Sequence, residues 1–198
     1  MTHNPSNLIA IVSNNTFYPG MVCSATEFFL DENEIKIIQN SKILPFCEIS
    51  FATQQILKEA INDDVDAKLA LHDMHPSSSI KRLEQFAKCR FGGLDFQGDI
   101  KDGQLQDGEY WPCPNHGNCP HEGTLCKLPV FNEQRLTKQD VQLLQLTATN
   151  KTNEAIGDAM KMPMGSLHKA KRILWMNLGI QTKQEGVMIS FFLNLIRL

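Results

Sequence analysis

The hydrophobic residues of the first ninety positions recur every three or four residues, which is the spacing of amphipathic helices. The pattern predicts helices from Glu48 to Ile61, from Asp66 to Asp73, and through Leu83 and Phe86 after a cap at Ser78 or Ser79. A single strand is predicted ahead of them, from Leu8 to Val12. Residues 1–91 are therefore expected to form a mixed but mostly helical region with a regulatory or interaction role.

A second helical pattern follows residue 131 and predicts four helices. Thr137, Thr152 and Thr182 can cap the first, second and fourth of these helices, because a threonine hydroxyl accepts a hydrogen bond from the first helical turn. Pro163 stands near the start of the third helix, where a missing N–H is tolerated, and Gly179 is placed to end it. Residues 132–198 are thus expected to form a four-helix domain.

The segment between these two regions, residues 92–131, lacks hydrophobic periodicity. Glycine, proline, aspartate and cysteine dominate it, which is typical of a linker or of a loop-rich module ordered by something other than a core. Its cysteines, with Tyr110 and Trp111 beside them, favour the loop-rich module. The expected fold is mainly α, with a Cys-rich metal-binding loop between the N-terminal region and the C-terminal domain.

Charge is distributed unevenly along this chain of 198 residues, whose net charge is −3. Nine basic and five acidic side chains give residues 132–198 a net charge of +4, which leaves −7 for the remainder. A basic module joined to an acidic body suits contact with a polyanion at one end only.

Neither end of the chain has the pattern of a membrane segment. No basic region precedes the short apolar run at the N-terminus, so it does not resemble a secretory signal. The apolar stretch 187–196 is too short to span a bilayer, and Ser190 and Asn194 interrupt it. A cytoplasmic protein without membrane contact is expected.

The predicted second and third helices, joined by a short turn, follow the order of a helix-turn-helix. The outward face of the third helix is expected to carry Gly165, His168, Lys169 and Arg172. The segment LTKQDVQLLQLTATNKTNEAIGDAMKMPMGSLHKAKRILWMNLGIQTKQEGV, residues 136–187, resembles the LuxR/GerE-type helix-turn-helix domain without a gap. The matching features are Leu136-Thr137, Thr152-Asn153, Ile156, Ser166-Leu167 and Leu178-Gly179-Ile180.

This resemblance implies a transcription regulator whose third helix lies in the major groove of double-stranded DNA. By position, His168, Lys169 and Arg172 would face the bases or the groove. Candidates for phosphate contacts are Lys151, Thr152, Ser166 and Lys183. In that family the fourth helix often contributes to dimerisation. The last helix here is apolar nearly all round, so either the N-terminal body or a second subunit must cover it. A homodimer is expected, because two-fold binding to paired half-sites is the common arrangement.

The segment departs from the family at three positions. Pro163 replaces the usual Ser or Thr, Ala170 replaces a His, and Ala155 replaces an acid. These changes affect how the helices are capped and how the domain would dock on DNA, but not the order of the helices. Two alternatives stay open: a helical bundle that contacts another protein, and a sigma-like factor that binds RNA polymerase.

Four of the six cysteines lie within 38 residues, as Cys89 followed by Cys113-x5-Cys119-x6-Cys126. Thiolates bind zinc tetrahedrally, and a small segment without a core gains folding free energy from such a metal. The four cysteines are therefore the expected zinc ligands, with His116 and His121 as substitutes. An iron–sulfur cluster for redox sensing, and buried thiols without a metal, are the alternatives.

Motifs of common enzyme classes are missing from the sequence. It has no phosphate-binding loop, no nucleophile elbow and no His-Glu-x-x-His. A phosphorylatable receiver domain would need acids after its first strand, and here Ser13-Asn14-Asn15 follow it. A catalytic Cys–His pair among Cys113, His116 and Cys119 is the enzymatic alternative to the expectation that the protein is no enzyme.

Overall fold

The computed structural model describes residues 17–132 and 134–196. The chain divides into two compact units. Their described parts are residues 17–127, called the N-terminal unit, and residues 128–132 with 134–196, called the C-terminal unit. The strand predicted from Leu8 to Val12 lies outside the described residues.

A three-stranded antiparallel sheet that the sequence pattern did not predict begins the N-terminal unit. Its strands are β1 (Glu27–Asp31), β2 (Glu34–Gln39) and β3 (Lys42–Pro45), in that spatial order. Phe28 pairs with Ile37 across the first two strands, and both side chains are fully buried. Two turns connect the strands, and each uses residues other than glycine in the left-handed conformation.

Three helices follow the sheet after a short 3-10 turn (Phe46–Glu48). They are α1 (Phe51–Asp63), α2 (Val65–Met74) and α3 (Ser79–Arg90), so the three predicted helices are confirmed with small shifts at their ends. Ser78 is the cap of α3 and accepts from the Lys81 amide. The helices contact one another and bury Leu57, Leu71 and Phe86 against the sheet residue Phe28.

Short hairpins complete the two units. In the N-terminal unit β4 (Ile100–Lys101) pairs with β5 (Gln104–Leu105), and in the C-terminal unit β6 (Val130–Phe131) pairs with β7 (Gln134–Arg135). Residues 106–129 between β5 and β6 contain no helix or strand. The predicted loop-rich character of this segment is confirmed.

Four helices dominate the C-terminal unit: α4 (Lys138–Thr147), α5 (Asn153–Ala159), α6 (Met164–Leu178) and α7 (Lys183–Phe192). Thr137 with Asp140, and Thr182 with Glu185, form reciprocal capping boxes at α4 and α7. The mainly α character expected from the sequence is confirmed for the described residues.

The last helix, α7, is covered on one side within its own unit. It packs on α4, and Ile189 and Ser190 are fully buried. The Ser190 hydroxyl donates to the Gly186 carbonyl at 2.7 Å. A Cβ atom at Gly186 would lie 3.3 Å from the Trp175 ring, so this glycine lets α6 approach α7 closely.

The other side of α7 keeps part of its apolar surface. Met188 and Phe191 are 39% and 38% exposed. The expectation that the N-terminal body or a second subunit would cover the helix therefore needs a correction, because α4 and Trp175 already cover much of it.

Within the described residues, no helix is long and apolar enough to cross a membrane.

Candidate functional site

A tight turn of residues 160–163 joins α5 to α6. The amide of Met162 donates to the Gly157 carbonyl at 2.8 Å, and Lys161 adopts the left-handed conformation with φ of 53°. A Cβ atom at Gly157 would lie 3.1 Å from the Met162 carbonyl oxygen, which is closer than most side chains allow. Pro163 stands just before the first helical residue of α6. This turn fixes the direction in which α6 leaves α5.

Helix α6 has one buried face and one basic face. Leu167, Leu174 and Leu178 are at most 3% exposed and form the buried face. His168, Lys169 and Arg172 are all exposed. Because residues three and four apart share a face of a helix, these three cationic or hydrogen-bonding side chains point away from the core together. The predicted outward orientation of these residues is confirmed.

An open groove of about 420 Å³ runs along the basic face and extends past the C-terminal end of α6 to Ile180 and Gln181. The residues that line it are His168, Lys171, Arg172, Trp175, Met176, Ile180 and Gln181. Only His168 and Arg172 among them were predicted as site residues, and Lys171 and Trp175 are among the five that the sequence interpretation missed. Their spacing of four residues on a helix was the available signal, since a lysine and a tryptophan so placed can contact each other.

Lys171 is held in this groove by two contacts. Its ammonium nitrogen lies 5.2 Å from the centre of the Trp175 ring and donates to Asn153 Oδ1 at 3.3 Å. Burial, and next the charge of Lys183, lower the pKa of Lys171. Lys183 therefore lies close enough to add positive potential to the groove.

The four predicted phosphate-contact residues, Lys151, Thr152, Ser166 and Lys183, are all exposed. Thr152 is the cap of α5, and its hydroxyl accepts from the Ala155 amide at 3.3 Å. Thr149 links two of the lysines: its hydroxyl accepts from the Lys151 amide, and its carbonyl accepts from Lys183 Nζ at 2.9 Å. The structure thus brings Lys151 and Lys183 together at Thr149. Ser166 lies in the first turn of α6.

None of the predicted DNA-contacting cations is neutralised by a carboxylate within the part of the chain that the structure describes. The four ion pairs found there join Lys36 to Asp31, Arg90 to Asp64, His121 to Asp73 and Lys127 to Asp64. All four lie in the N-terminal unit. The basic face of α6 therefore keeps its positive potential.

The four clustered cysteines all belong to the N-terminal unit and carry free, half-buried thiols. Cys89 lies in the last turn of α3, and its Sγ accepts from Gln85 Nε2 at 3.1 Å. Burial, and then the charges of Cys126, Cys113 and Cys119, raise the pKa of Cys89 to about 11. The other three thiols therefore lie near Cys89. Even so, no group of three or more His, Cys, Asp or Glu side chains within the described residues has the arrangement of a metal site.

The two histidines considered as substitute metal ligands have contacts of their own. His116 Nδ1 lies 3.1 Å from the Tyr110 hydroxyl, with the two rings edge to face. His121 Nε2 lies 3.0 Å from an Asp73 carboxylate oxygen. These contacts therefore engage one ring nitrogen of each histidine.

A group of four carboxyls in the N-terminal unit was also missed by the sequence interpretation. Glu27 of β1 is fully buried, and its Oε1 accepts from the Asp95 amide at 2.9 Å. Asp99, also buried, accepts from the Phe28 amide at 2.6 Å. Glu109 accepts from the Gly93 amide. The carboxyls thus connect residues 93–109 to β1, and their scattered sequence positions left no motif to find.

Burial dominates the chemistry of these carboxyls. It raises the pKa of Glu27 to about 10, with Asp95 and Glu109 adding repulsion. Burial and the charge of Glu27 also raise the pKa of Asp99. Glu27 therefore carries a proton at neutral pH.

Comparison of the chain with models of protein families, with curated proteins and with solved structures finds no match in any of the three.

Proposed function

We propose that this protein is a sequence-specific transcription regulator whose helix α6 reads the major groove of double-stranded DNA. The observation that carries the proposal is the exposed basic face of α6, free of carboxylate partners in the described residues and presented after a tight turn from α5. The major groove is about 12 Å wide and accepts one α-helix. The net charge of +4 on residues 132–198 supports the same polyanionic partner.

The side chains of the proposed interface divide into two groups. His168, Lys169 and Arg172 extend from α6 toward the base edges, where an arginine can donate two parallel hydrogen bonds to guanine. Lys151, Thr152, Ser166 and Lys183 contact phosphates and so position the helix without reading sequence. Lys171 adds a further cation at the groove beside Trp175.

A homodimer is the proposed binding unit, because two-fold symmetric proteins match paired half-sites on DNA. The apolar side chains that α7 leaves exposed, Met188 and Phe191, are available for such a contact. Such a regulator needs no catalytic residue, and it would act in the cytoplasm, where it has access to DNA.

Binding to DNA can be measured by fluorescence anisotropy with a library of genomic fragments at two salt concentrations. Lys169→Ala and Arg172→Ala are each expected to weaken binding to the selected site by about 1–3 kcal/mol, if each side chain contacts a base. The combined variant of these two with His168→Ala should lose specific binding.

Asn177→Ala is the matched control for this experiment, because Asn177 is exposed on the same helix but away from the basic face. It should bind as tightly as the wild type. Unchanged affinity in both Lys169→Ala and Arg172→Ala would contradict the placement of α6 in the groove.

A second candidate function is contact with another protein, such as RNA polymerase. Two large apolar side chains on α6 favour it, since Met176 is 74% exposed and Ile173 is 46% exposed. Phosphate contacts give affinity that falls steeply with salt, whereas an apolar interface does not. Salt-insensitive binding of polymerase, together with no binding of DNA, would favour this function over the first.

A further inference from the structure

Residues 106–129 form a long segment without helix or strand, and three of the four clustered thiols lie in it. Its hydrophobic core is small: Tyr110, Trp111 and Leu125 are its buried apolar residues. Segments of this length without regular structure are uncommon inside a compact unit unless they have a function or another source of order. The segment, here called the cysteine loop, therefore needs an additional constraint.

Arg90, the last residue of α3, ties the cysteine loop to the helix that carries Cys89. Its Nε donates to the Leu125 carbonyl, and its Nη2 lies 3.5 Å from the Thr124 carbonyl. The same guanidinium forms an ion pair with Asp64 at 2.6 Å. Since Arg90 follows Cys89 and Leu125 precedes Cys126, these contacts bring the segments that carry the two cysteines close together.

The first half of the loop is anchored next to the same helix end. The Glu109 amide donates to the Arg90 carbonyl at 2.8 Å. A Cβ atom at Gly92 would lie 2.6 Å from the Trp111 ring, so the chain just after α3 is in direct contact with that ring. The Cys113 amide donates to the Trp111 carbonyl at 2.8 Å, which places Cys113 beside this contact.

Short turns then fold the loop back on itself. The Cys119 amide donates to the Asn115 carbonyl at 2.9 Å, and the Glu122 amide donates to the Cys119 carbonyl at 3.2 Å. The Gly123 amide lies 3.5 Å from Cys126 Sγ. The two ends of the loop and the last turn of α3 thus hold three of the thiols, and Cys119 lies on the turns between them.

We propose that Cys89, Cys113, Cys119 and Cys126 together bind one Zn²⁺ ion, which fixes the cysteine loop to the end of α3. Four soft thiolates without an oxygen ligand suit zinc rather than magnesium or calcium. Four protein ligands leave no open position, so the metal has a structural role. Since the described residues do not already form a ligand set, the cysteine loop must rearrange as the metal binds.

The experiment uses the full chain, stripped of metal with a chelator under reducing conditions and then titrated with Co²⁺ and Zn²⁺. Cobalt reports tetrahedral thiolate ligation through its visible absorption, and elemental analysis gives the zinc content. The expected result is one metal ion per chain, with zinc displacing cobalt. Cys119→Ser should reduce the bound zinc to none.

Cys23→Ser and Cys47→Ser are matched controls, because both of these cysteines are exposed and lie outside the cluster. Both variants should keep one zinc ion per chain. The titration of the wild type tests the proposal even if Cys119→Ser fails to fold. If the wild type binds neither cobalt nor zinc, the proposal is overturned. Intact zinc content in Cys119→Ser would overturn the ligand set. If the purified protein contains iron and labile sulfide, the four cysteines bind an iron–sulfur cluster and not zinc, which would overturn the proposal.

Discussion

Glu27 shows how strongly burial alters the chemistry of a single side chain in this protein. It is fully buried in β1, between residues 93–109 and the sheet, and faces the carboxyls of Asp95, Asp99 and Glu109. Its Oε2 atom has no hydrogen-bond partner among the described residues. An ionised carboxylate in such a place is unfavourable, so the folded protein holds the proton that the unfolded chain releases.

Stability should therefore fall as the pH rises. The pKa of Glu27 is raised from 4.5 to about 10, so the stabilising contribution of the neutral carboxyl is complete below pH 4.5 and is lost progressively up to about pH 10. A tenfold change in proton affinity corresponds to about 1.4 kcal/mol. Glu27→Gln keeps an oxygen for the Asp95 amide and removes the ionisation.

Urea unfolding at pH 6, 7.5 and 9 checks this prediction. The variant should lose less stability than the wild type between pH 6 and pH 9, and should be more stable than the wild type at pH 9 by more than about 1 kcal/mol. Glu59→Gln, at an exposed position of α1, should leave the pH dependence unchanged. Parallel pH profiles for wild type and Glu27→Gln would contradict the burial argument.

At the scale of elements, local signals predicted the helices well and the sheet poorly. The capping threonines and the periodic apolar residues lie close together in the sequence, so the pattern alone located α4 to α7. The turns of the sheet lack the glycine that usually marks a hairpin. They place Glu32, Asn40 and Ser41 in the left-handed conformation instead. In the acidic run 31–34 only the two central residues form the turn, and the outer two belong to β1 and β2.

The capping box of α7 provides a test at this scale. The Thr182 hydroxyl accepts from the Glu185 amide at 3.2 Å, and the Glu185 carboxylate accepts from the Thr182 amide at 2.8 Å. Thr182→Ala should lower the free energy of unfolding by about 1 kcal/mol. Gln184→Ala, at an exposed position of the same helical turn, is the control.

Chemical denaturation followed by circular dichroism measures both variants. Equal unfolding midpoints for Thr182→Ala and Gln184→Ala would mean that the α4 packing alone determines where α7 begins.

For the molecule as a whole, the sequence indicated an N-terminal body and a C-terminal helical domain, and the structure divides the chain near residue 128. The predicted Cys-rich segment falls almost entirely within the N-terminal unit. Contacts between side chains that are far apart in the sequence were harder to predict. The contacts that Arg90 makes with Leu125 and Asp64 join residues 35 and 26 positions apart, and no local pattern encodes them.

The uneven charge of the whole chain leads to a prediction about salt. If Lys151 contacts a phosphate, Lys151→Ala should weaken binding to all DNA sequences alike and reduce the slope of log K against log salt by about 0.9. Lys101→Ala removes an exposed lysine from the N-terminal unit and is the control, since it should leave the slope unchanged. An unaltered slope in Lys151→Ala would remove this residue from the interface.

The partial burial of Lys171 beside Trp175 also has a consequence for covalent chemistry. The lowered pKa of Lys171 means that more of its side chain is a neutral amine than in an ordinary lysine, and only the neutral amine is a nucleophile. Acylating reagents used at neutral pH should therefore modify Lys171 early. A DNA duplex in the neighbouring groove should slow that modification, which makes the rate of acylation at this one lysine a footprint of the bound state.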